Sequence, residues 1–222
     1  MTSQDLSLTR PQVSRTKILW QRFSRNRAAV LGLVLFIAVV LIALLADVIA
    51  PGDPLRRAGD PLVWPFLNAA TPLGTDQLGR DIMAGIFHGA RISLLIGVVA
   101  TLISIAIGII IGALAGYYGG WVDDVLMRIT EAFQTVPSFV LLLTLVAIFG
   151  SSIENIIICI GIVSWTAPAR MVRAEFLALR KREFIDAARN LGVGNVSIIF
   201  REILPNARSE EHTSELQSHH DL

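Results

Sequence analysis

The stretch ISLLIGVVATLISIAIGIIIGALAGYY, residues 92–118, contains no charged side chain. About 20 apolar residues are enough to cross the roughly 30 Å hydrocarbon layer of a bilayer, so this segment reads as a membrane span. Three other runs read the same way. Residues 28–50 hold one charge, Asp47, near the end. Residues 129–149 carry Glu131 near the start and Pro137 inside, and the shorter run 153–169 has Glu154 at its edge. Composition agrees, with 53% hydrophobic and 17% charged residues and a mean hydropathy of +0.61. Only helices and closed barrels satisfy their backbone groups within lipid. Runs of this length and hydropathy predict an all-α, polytopic bundle of about four spans.

Within the 92–118 span, Ala100, Ser104, Gly108, Gly112 and Gly116 recur every four residues, and Gly120 continues the series. A face of small side chains lets another helix approach closely, which is how spans pack where lipid offers no hydrophobic drive. Pro137 predicts a kink in the third span. Asp124 and Arg128 stand at i, i+4, a spacing that suits an ion pair. Glu131, Gln134 and Ser164 are candidates for lining a pathway, since polar groups at membrane depth face protein or water. A charge at Glu131 paired to Arg128 at the interface is the plainer reading. Cys159 is the only cysteine, so it forms no intrachain disulfide and packs in a span.

The flanking charges set an orientation. Arg10, Arg15, Lys17, Arg22, Arg25 and Arg27 precede the first span against Asp5 alone. Arg170, Arg173, Arg180, Lys181, Arg182, Arg189 and Arg201 lie at or beyond the last. An even number of spans puts both basic ends on one side, the cytoplasm, with Gly59 outside. The connection after the first span holds Pro51, Pro54, Pro61, Pro65 and Pro72, which predicts an extended external segment. The organisation expected is a basic segment at 1–27, a retained span at 28–50, an external Pro-rich loop with a short amphipathic helix at 51–91, and a core of further spans and a charged segment at 92–207.

FIDAARNLGVGNVSIIFREILPN, residues 184–206, is too charged for a span. Phe184, Ile185, Ala188 and Leu191 share one face of a short helix that Gly192 ends by taking a left-handed turn. Val196, Ile199, Phe200 and Ile203 form a second apolar stripe that stops near Pro205. Two short helices joined at a glycine present a knuckle able to fill a partner's groove.

The same segment resembles the "EAA" loop of permease subunits in ATP-driven, binding-protein-dependent importers, with Asp186 where Glu is usual and Glu202 where Ile is typical. FSRNRAAVLGLVLF, TPLGTDQLGRDIMAGIFHGARISL, YYGGWVDDVLMR and VSWTAPARMVRAEFL, in this order, are similar to dipeptide and oligopeptide permeases of the C-subunit type. Thr71 replaces a common His. The stretch 208–222, polar throughout and rich in Glu, Ser and His, reads as a non-native tail. The resemblance implies the type I ABC importer permease (MetI-like) fold, with two further spans after Ala207. It implies an ATPase-docking loop at 183–206 carried by Glu183, Phe184, Asp186, Ala187, Ala188, Gly192, Leu204 and Pro205. It also implies a second permease subunit, ATP-binding cassette ATPase subunits and an external solute-binding protein as partners.

No catalytic or nucleic-acid-binding set is evident. Lys17 and Lys181 are the only lysines and neither follows a glycine, so the chain holds no G-x-x-x-x-G-K-[ST] phosphate loop. Outside 208–222, His88 is the only histidine, which leaves neither a metal site nor a catalytic triad. If transport is ATP-driven, as the resemblance implies, ATP is used by a separate ATPase chain, and no cofactor is expected on this one. A secondary transporter or channel subunit, a nickel or metal-chelate importer permease and a membrane-anchored interaction protein remain alternatives.

Overall fold

The computed structural model describes residues 20, 21 and 23–207. Asp5, Arg10, Arg15, Lys17, Arg22 and the stretch 208–222 lie outside the described residues. The chain divides into two compact units, Met1–Leu94 and Leu95–Leu222.

In the first unit, Asn26 starts helix α1 (Arg27–Leu44) by accepting the Ala29 N–H, 3.2 Å, on its side chain. This bond supplies one of the donors left free at a helix start. Helix α1 is apolar on all sides and buries only Ala43, as suits a helix solvated by lipid. Leu45 breaks the helical geometry, and α2 (Ala46–Ile49) completes the run. Asp47, its one charge, is bridged by Arg91 at 2.8 Å. His88 Nε2 lies 3.0 Å from the Ala50 carbonyl oxygen. Both partners stand near the start of α3 (Ile82–Tyr118), a single helix of 37 residues. It begins ten residues before the expected span, and the separate amphipathic helix anticipated in 51–91 is absent among the described residues. At 1.5 Å per residue α3 is about 55 Å long, well beyond the thickness of the hydrocarbon.

The Pro-rich connection is folded back on itself rather than extended. Prolines remove donors and forbid helix, and Thr75 and Asp76 organise the amides that remain. Thr75 Oγ1 donates to the Asp60 carbonyl, 2.5 Å, and accepts the Val63 N–H, 2.9 Å. The Asp76 carboxylate accepts the N–H groups of Leu78 and Arg80, both at 2.8 Å. Leu62 (φ 57°) and Phe66 (φ 65°) take left-handed backbone, each at a cost of about 1–2 kcal/mol. Thr71 is 1% exposed, with its hydroxyl unpaired among the described residues.

The second unit is built on α3 and the helices after it. Gly119 (φ 65°) and Gly120 (φ 53°) turn the chain out of α3, a conformation glycine adopts at little steric cost. The turn leads into α4 (Gly120–Thr135). The expected kink at Pro137 is a full break. Val136 and Pro137 are both extended, and α5 (Ser138–Phe149) leaves at 84° to α4. The proline forces this by excluding helical geometry from the residue before it. After Gly150, α6 (Ile153–Ser164) and α7 (Thr166–Leu179) meet at 41°. Pro168 lies in the first turn of α7, where its ring would crowd the Ser164 carbonyl of a straight helix. The pair runs ten residues past the expected end at Ala169. Among the described residues, two helices are long and apolar enough to cross a membrane alone, or up to four if each bent pair is one span.

The small-residue face of α3 packs against α7. A Cβ added at Gly108 would lie 2.8 Å from Pro168 Cβ, and one at Gly116 would lie 2.5 Å from Phe176 Cβ. One at Gly112 would overlap the Ala169 carbonyl oxygen. The contacts advance together along both helices, so α3 and α7 run parallel. Ala100 and Ser104 are buried on the same face, whereas Gly120 opens α4 and is exposed.

The structure yields two expectations. Gly112→Ala should destabilise the protein by about 1–3 kcal/mol, the usual cost of overpacking, although alanine is otherwise worth about 1 kcal/mol over glycine in a helix. Gly89→Ala, with no atom within 4 Å of the added methyl, should not destabilise; thermal unfolding in detergent compares the two. The Arg80 amide is the main group holding the Asp76 carboxyl below its ordinary value, helped by the Leu78 amide and the Arg80 charge. A lowered carboxyl pKa contributes stability above the ordinary carboxylate pKa of about 3.9 and loses it as pH falls through the folded value. Protection of the Leu78 and Arg80 amides against hydrogen exchange should therefore persist through the ordinary carboxylate range near about pH 4 and be lost only at lower pH, and in Asp76→Ala it should be missing at neutral pH.

Candidate docking segment and its anchor

After α7 the chain enters α8 (Glu183–Asn190), which ends in a glycine-closed cap. Gly192 takes φ +77°, its N–H donates to the Arg189 carbonyl at 2.9 Å, and the Val193 N–H reaches the Ala188 carbonyl at 3.1 Å. These two bonds form a Schellman motif. The chain continues through a short α9 (Asn195–Ser197), the π-helix π1 (Ile198–Ile203) and α10 (Leu204–Ala207). Pro205 therefore sits inside the last helical turn instead of ending the stripe before it. The wide π turn precedes it, and such local adjustments accommodate a proline ring.

The expected faces are partly reversed. Ile185 is fully buried and Ala188 packs beside it, as the spacing implied, but Phe184 is 39% and Leu191 83% exposed. In the second half, Ile199 and Ile203 are buried as expected, together with Ile198, while Val196 and Phe200 are exposed. The π-helix explains the shift. Its bonds run from i to i+5, so Ile198 and Ile203, five apart, face the same way. The core they join includes Ala113, Tyr117, Phe176 and Leu179. Leu204 packs against its edge, while Glu183, Asp186, Ala187, Gly192 and Pro205 lie on the surface. Asp186 pairs with Arg189 of its own helix at 3.5 Å.

Tyr117, at the last turn of α3, ties this segment down. It is 5% exposed. Its hydroxyl donates to Asn195 Oδ1 at 2.8 Å, its carbonyl accepts from Arg180 at 3.4 Å, and the Arg189 guanidinium lies 5.4 Å from the ring centroid. Both halves of the 183–206 segment thus grip one side chain of the long span. The sequence reading passed over this residue; a hydroxyl-bearing aromatic at the end of an apolar span is the signal that marks it.

A second connection joins α4 to α7. Asp123 accepts a two-pronged contact from Arg173, Nε at 2.5 Å and Nη2 at 2.6 Å. Asp123 is the partner here, not Asp124, and the Asp124–Arg128 and Glu131–Arg128 pairs suggested by spacing are absent among the described residues. Beside the bridge is a cavity of about 660 Å³ lined by Asp124, Met127, Arg128, Thr130, Glu131, Arg170 and Arg173. Glu131 is on its wall; Gln134 and Ser164 are not. No group of three or more His, Cys, Asp or Glu side chains is placed to hold a metal among the described residues.

The partly buried bridge makes a prediction. Asp123→Asn and Arg173→Gln should each destabilise, because the remaining charge keeps its desolvation cost. The double variant should recover part of the loss, and unfolding in detergent should give a coupling on the order of 1–3 kcal/mol.

A family model described as a binding-protein-dependent transport system inner membrane component matches residues 108–209. One described as the N-terminal TM domain of oligopeptide transport permease C matches residues 14–69. The dipeptide transport system permease protein of Bacillus subtilis is 34% identical over 200 residues, 90% of this chain and 62% of that protein. The di/tripeptide transport system permease protein of Pseudomonas aeruginosa is 37% identical over 209 residues, 92% of this chain and 68% of that protein. The glutathione transport system permease protein of Pectobacterium atrosepticum is 37% identical over 190 residues, 86% of this chain and 63% of that protein. The chain thus spans roughly two thirds of the length of these relatives, between 62% and 68%.

Proposed function

This chain belongs to the family of binding-protein-dependent transport system inner membrane components, and on that premise we propose that it is the permease subunit of an ATP-driven importer. It forms part of the path for short peptides or similar small solutes, the class named in its relatives. A separate ATPase subunit hydrolyses ATP, and a second permease chain and an external solute-binding protein complete the assembly. The N-terminus and the 183–206 segment face the cytoplasm, with Gly59 outside, in line with the basic residues at both ends of the described core.

One observation carries the docking role. The 183–206 segment is anchored through Ile185, Ile198 and Ile203, yet it leaves Leu191, Val196 and Phe200 at 83%, 68% and 54% exposure. None of these three is needed for its core, and together with Phe184 they give apolar contacts suited to a partner's groove. Asp186 adds an exposed carboxylate beside them.

The test uses the assembled importer carrying Leu191→Asp, Asp186→Arg or Gly192→Val. Leu191→Asp leaves the buried isoleucines and the Tyr117 contacts in place. Asp186→Arg leaves the isoleucines in place but removes the partner of Arg189, and the third strains a left-handed turn that β-branched residues resist. Membrane insertion should be normal, while ATPase co-purification and peptide uptake fall, with losses of about 2–5 kcal/mol where a paired charge is broken. Undiminished ATPase binding and uptake in all three would make the segment a connector only. On a Cys159→Ser background, labelling from outside intact cells should reach a cysteine at position 59 and not one at 180; the opposite pattern would overturn the orientation.

A further inference from the structure

The connection between α2 and α3 displays apolar side chains that its own unit does not cover. Residues 61–75 contain no charged side chain, although Arg57, Asp60, Asp76 and Arg80 flank them. Leu62, Trp64, Phe66 and Leu67 are 67%, 76%, 85% and 75% exposed. Leu62 and Phe66 also hold left-handed backbone, which bulky residues rarely adopt. Such strain persists only where the surroundings impose it, and it clusters at functional sites. Here it is imposed by bonds that close the connection on itself. The Leu62 N–H donates to the Asp76 carbonyl at 3.0 Å, the Thr75 N–H to the Val63 carbonyl at 3.1 Å and the Phe66 N–H to the Pro72 carbonyl at 2.9 Å. The fold therefore imposes the display without burying it. Contiguous exposed apolar patches mark sites where a protein or a membrane binds.

We propose that the turn at 62–67 seats in the interfacial layer of the same bilayer that α1 and α3 enter, as an anchor beside the spans. Its position favours lipid as the occupant. His88 of α3 lies 3.0 Å from the Ala50 carbonyl oxygen, and Arg91 bridges Asp47 at 2.8 Å, so both ends of the connection leave the bilayer side by side. The turn is then held back against α3. The Ile82 N–H donates to the Gly74 carbonyl at 3.2 Å. A Cβ added at Gly74 would overlap the Val63 carbonyl oxygen and lie 3.2 Å from the Pro65 nitrogen. The Val63–Pro65 backbone thus touches Gly74, which is bonded to the first residue of α3. No Asp, Glu, Lys or Arg occurs from Ile82 to Ala90, and Ile82 and Ile86 are exposed there, so the apolar surface of the span continues up to the turn. The chemistry favours lipid too. Tryptophan is enriched at membrane interfaces, its ring apolar and its indole N–H able to meet the headgroups. A protein interface rings its apolar centre with polar groups, yet within 61–75 Asn68 is the only exposed polar side chain, Thr71 and Thr75 being buried. The inference is independent of what the chain transports and of which side of the membrane the connection occupies.

Spin labels read the depth directly. On a Cys159→Ser background, the full chain in phosphatidylcholine nanodiscs carries one nitroxide-labelled cysteine at a time: Phe66→Cys or Leu67→Cys in the turn, Gly59→Cys at its base, and Phe36→Cys on α1. Oxygen concentrates in lipid and a nickel chelate stays in water, so the ratio of their collision rates with the label rises with depth. At 66 and 67 the ratio should be several-fold above that at 59 and below that at 36. Trp64→Asp should bring both turn positions down to the value at 59, because a carboxylate resists entry into lipid, and should leave 36 unchanged; Trp64→Phe should leave the turn ratios high. Turn ratios equal to that at 59, or unmoved by Trp64→Asp, would overturn the proposal. In the assembled importer the high ratios should persist. Loss of collisions with both reagents there would assign the turn to a protein partner and overturn the proposal as well.

Discussion

The second unit depends on one constraint, the approach of α3 to α7 with backbone nearly touching backbone. Lipid tails solvate leucine as well as a protein interior does, so apolar area gives spans little reason to associate. Dispersion and packing remain, and they fall steeply with distance. Gly108, Gly112 and Gly116 remove the side chains that would hold the helices apart, and Pro168, Ala169, Val172 and Phe176 fill the groove they leave. Parallel spans in that contact bring the end of α3 to the same level as the end of α7. Tyr117 can then meet the segment that follows α7, and Phe176 and Leu179 can share a core with Ile185, Ile198 and Ile203.

The anchor of the 183–206 segment uses chemistry of a different kind. Each half of the segment is short, and helices of eight residues or fewer are marginal alone. The Schellman cap at Gly192 sets the angle between the halves, the buried isoleucines hold them down, and Tyr117 binds one half through Arg189 and the other through Asn195. Movement of either half against α3 therefore disturbs one side chain, which gives the segment a defined mechanical connection to a membrane span. The Asp123–Arg173 bridge does the corresponding work between α4 and α7.

Where spacing misled, another element had intervened. Asp124 and Arg128 have the right separation for a helical pair, but a gain of about 0.2–0.5 kcal/mol is easily outweighed by what α7 brings to this face. Asp123, next to it, meets an arginine 50 residues away in sequence. Leu191 and Phe200 belong to apolar stripes only if both helices keep the α period. The glycine cap puts Leu191 outside the first, and the π turn rotates the second by enough to exchange Phe200 for Ile198. The Pro-rich connection was expected to be extended because proline forbids helix; whether a chain then stays open depends on side chains such as Thr75 and Asp76 that capture its free amides.

The amino-acid sequence by itself determined the properties set within a few residues of each position. These are which runs are apolar enough to lie in a bilayer, where a proline must end a helix, where Gly192 must turn, and which face of α3 is small enough for a close neighbour. The ordered blocks along the chain also carried its family. Tertiary structure alone decided which neighbour fills that face, which of two adjacent aspartates is buried in an ion pair, and which apolar residues of the 183–206 segment are left for a partner. Hydropathy and turn chemistry are local quantities, whereas burial and pairing depend on elements that may be 50 or more residues apart and are brought together only when the helices pack.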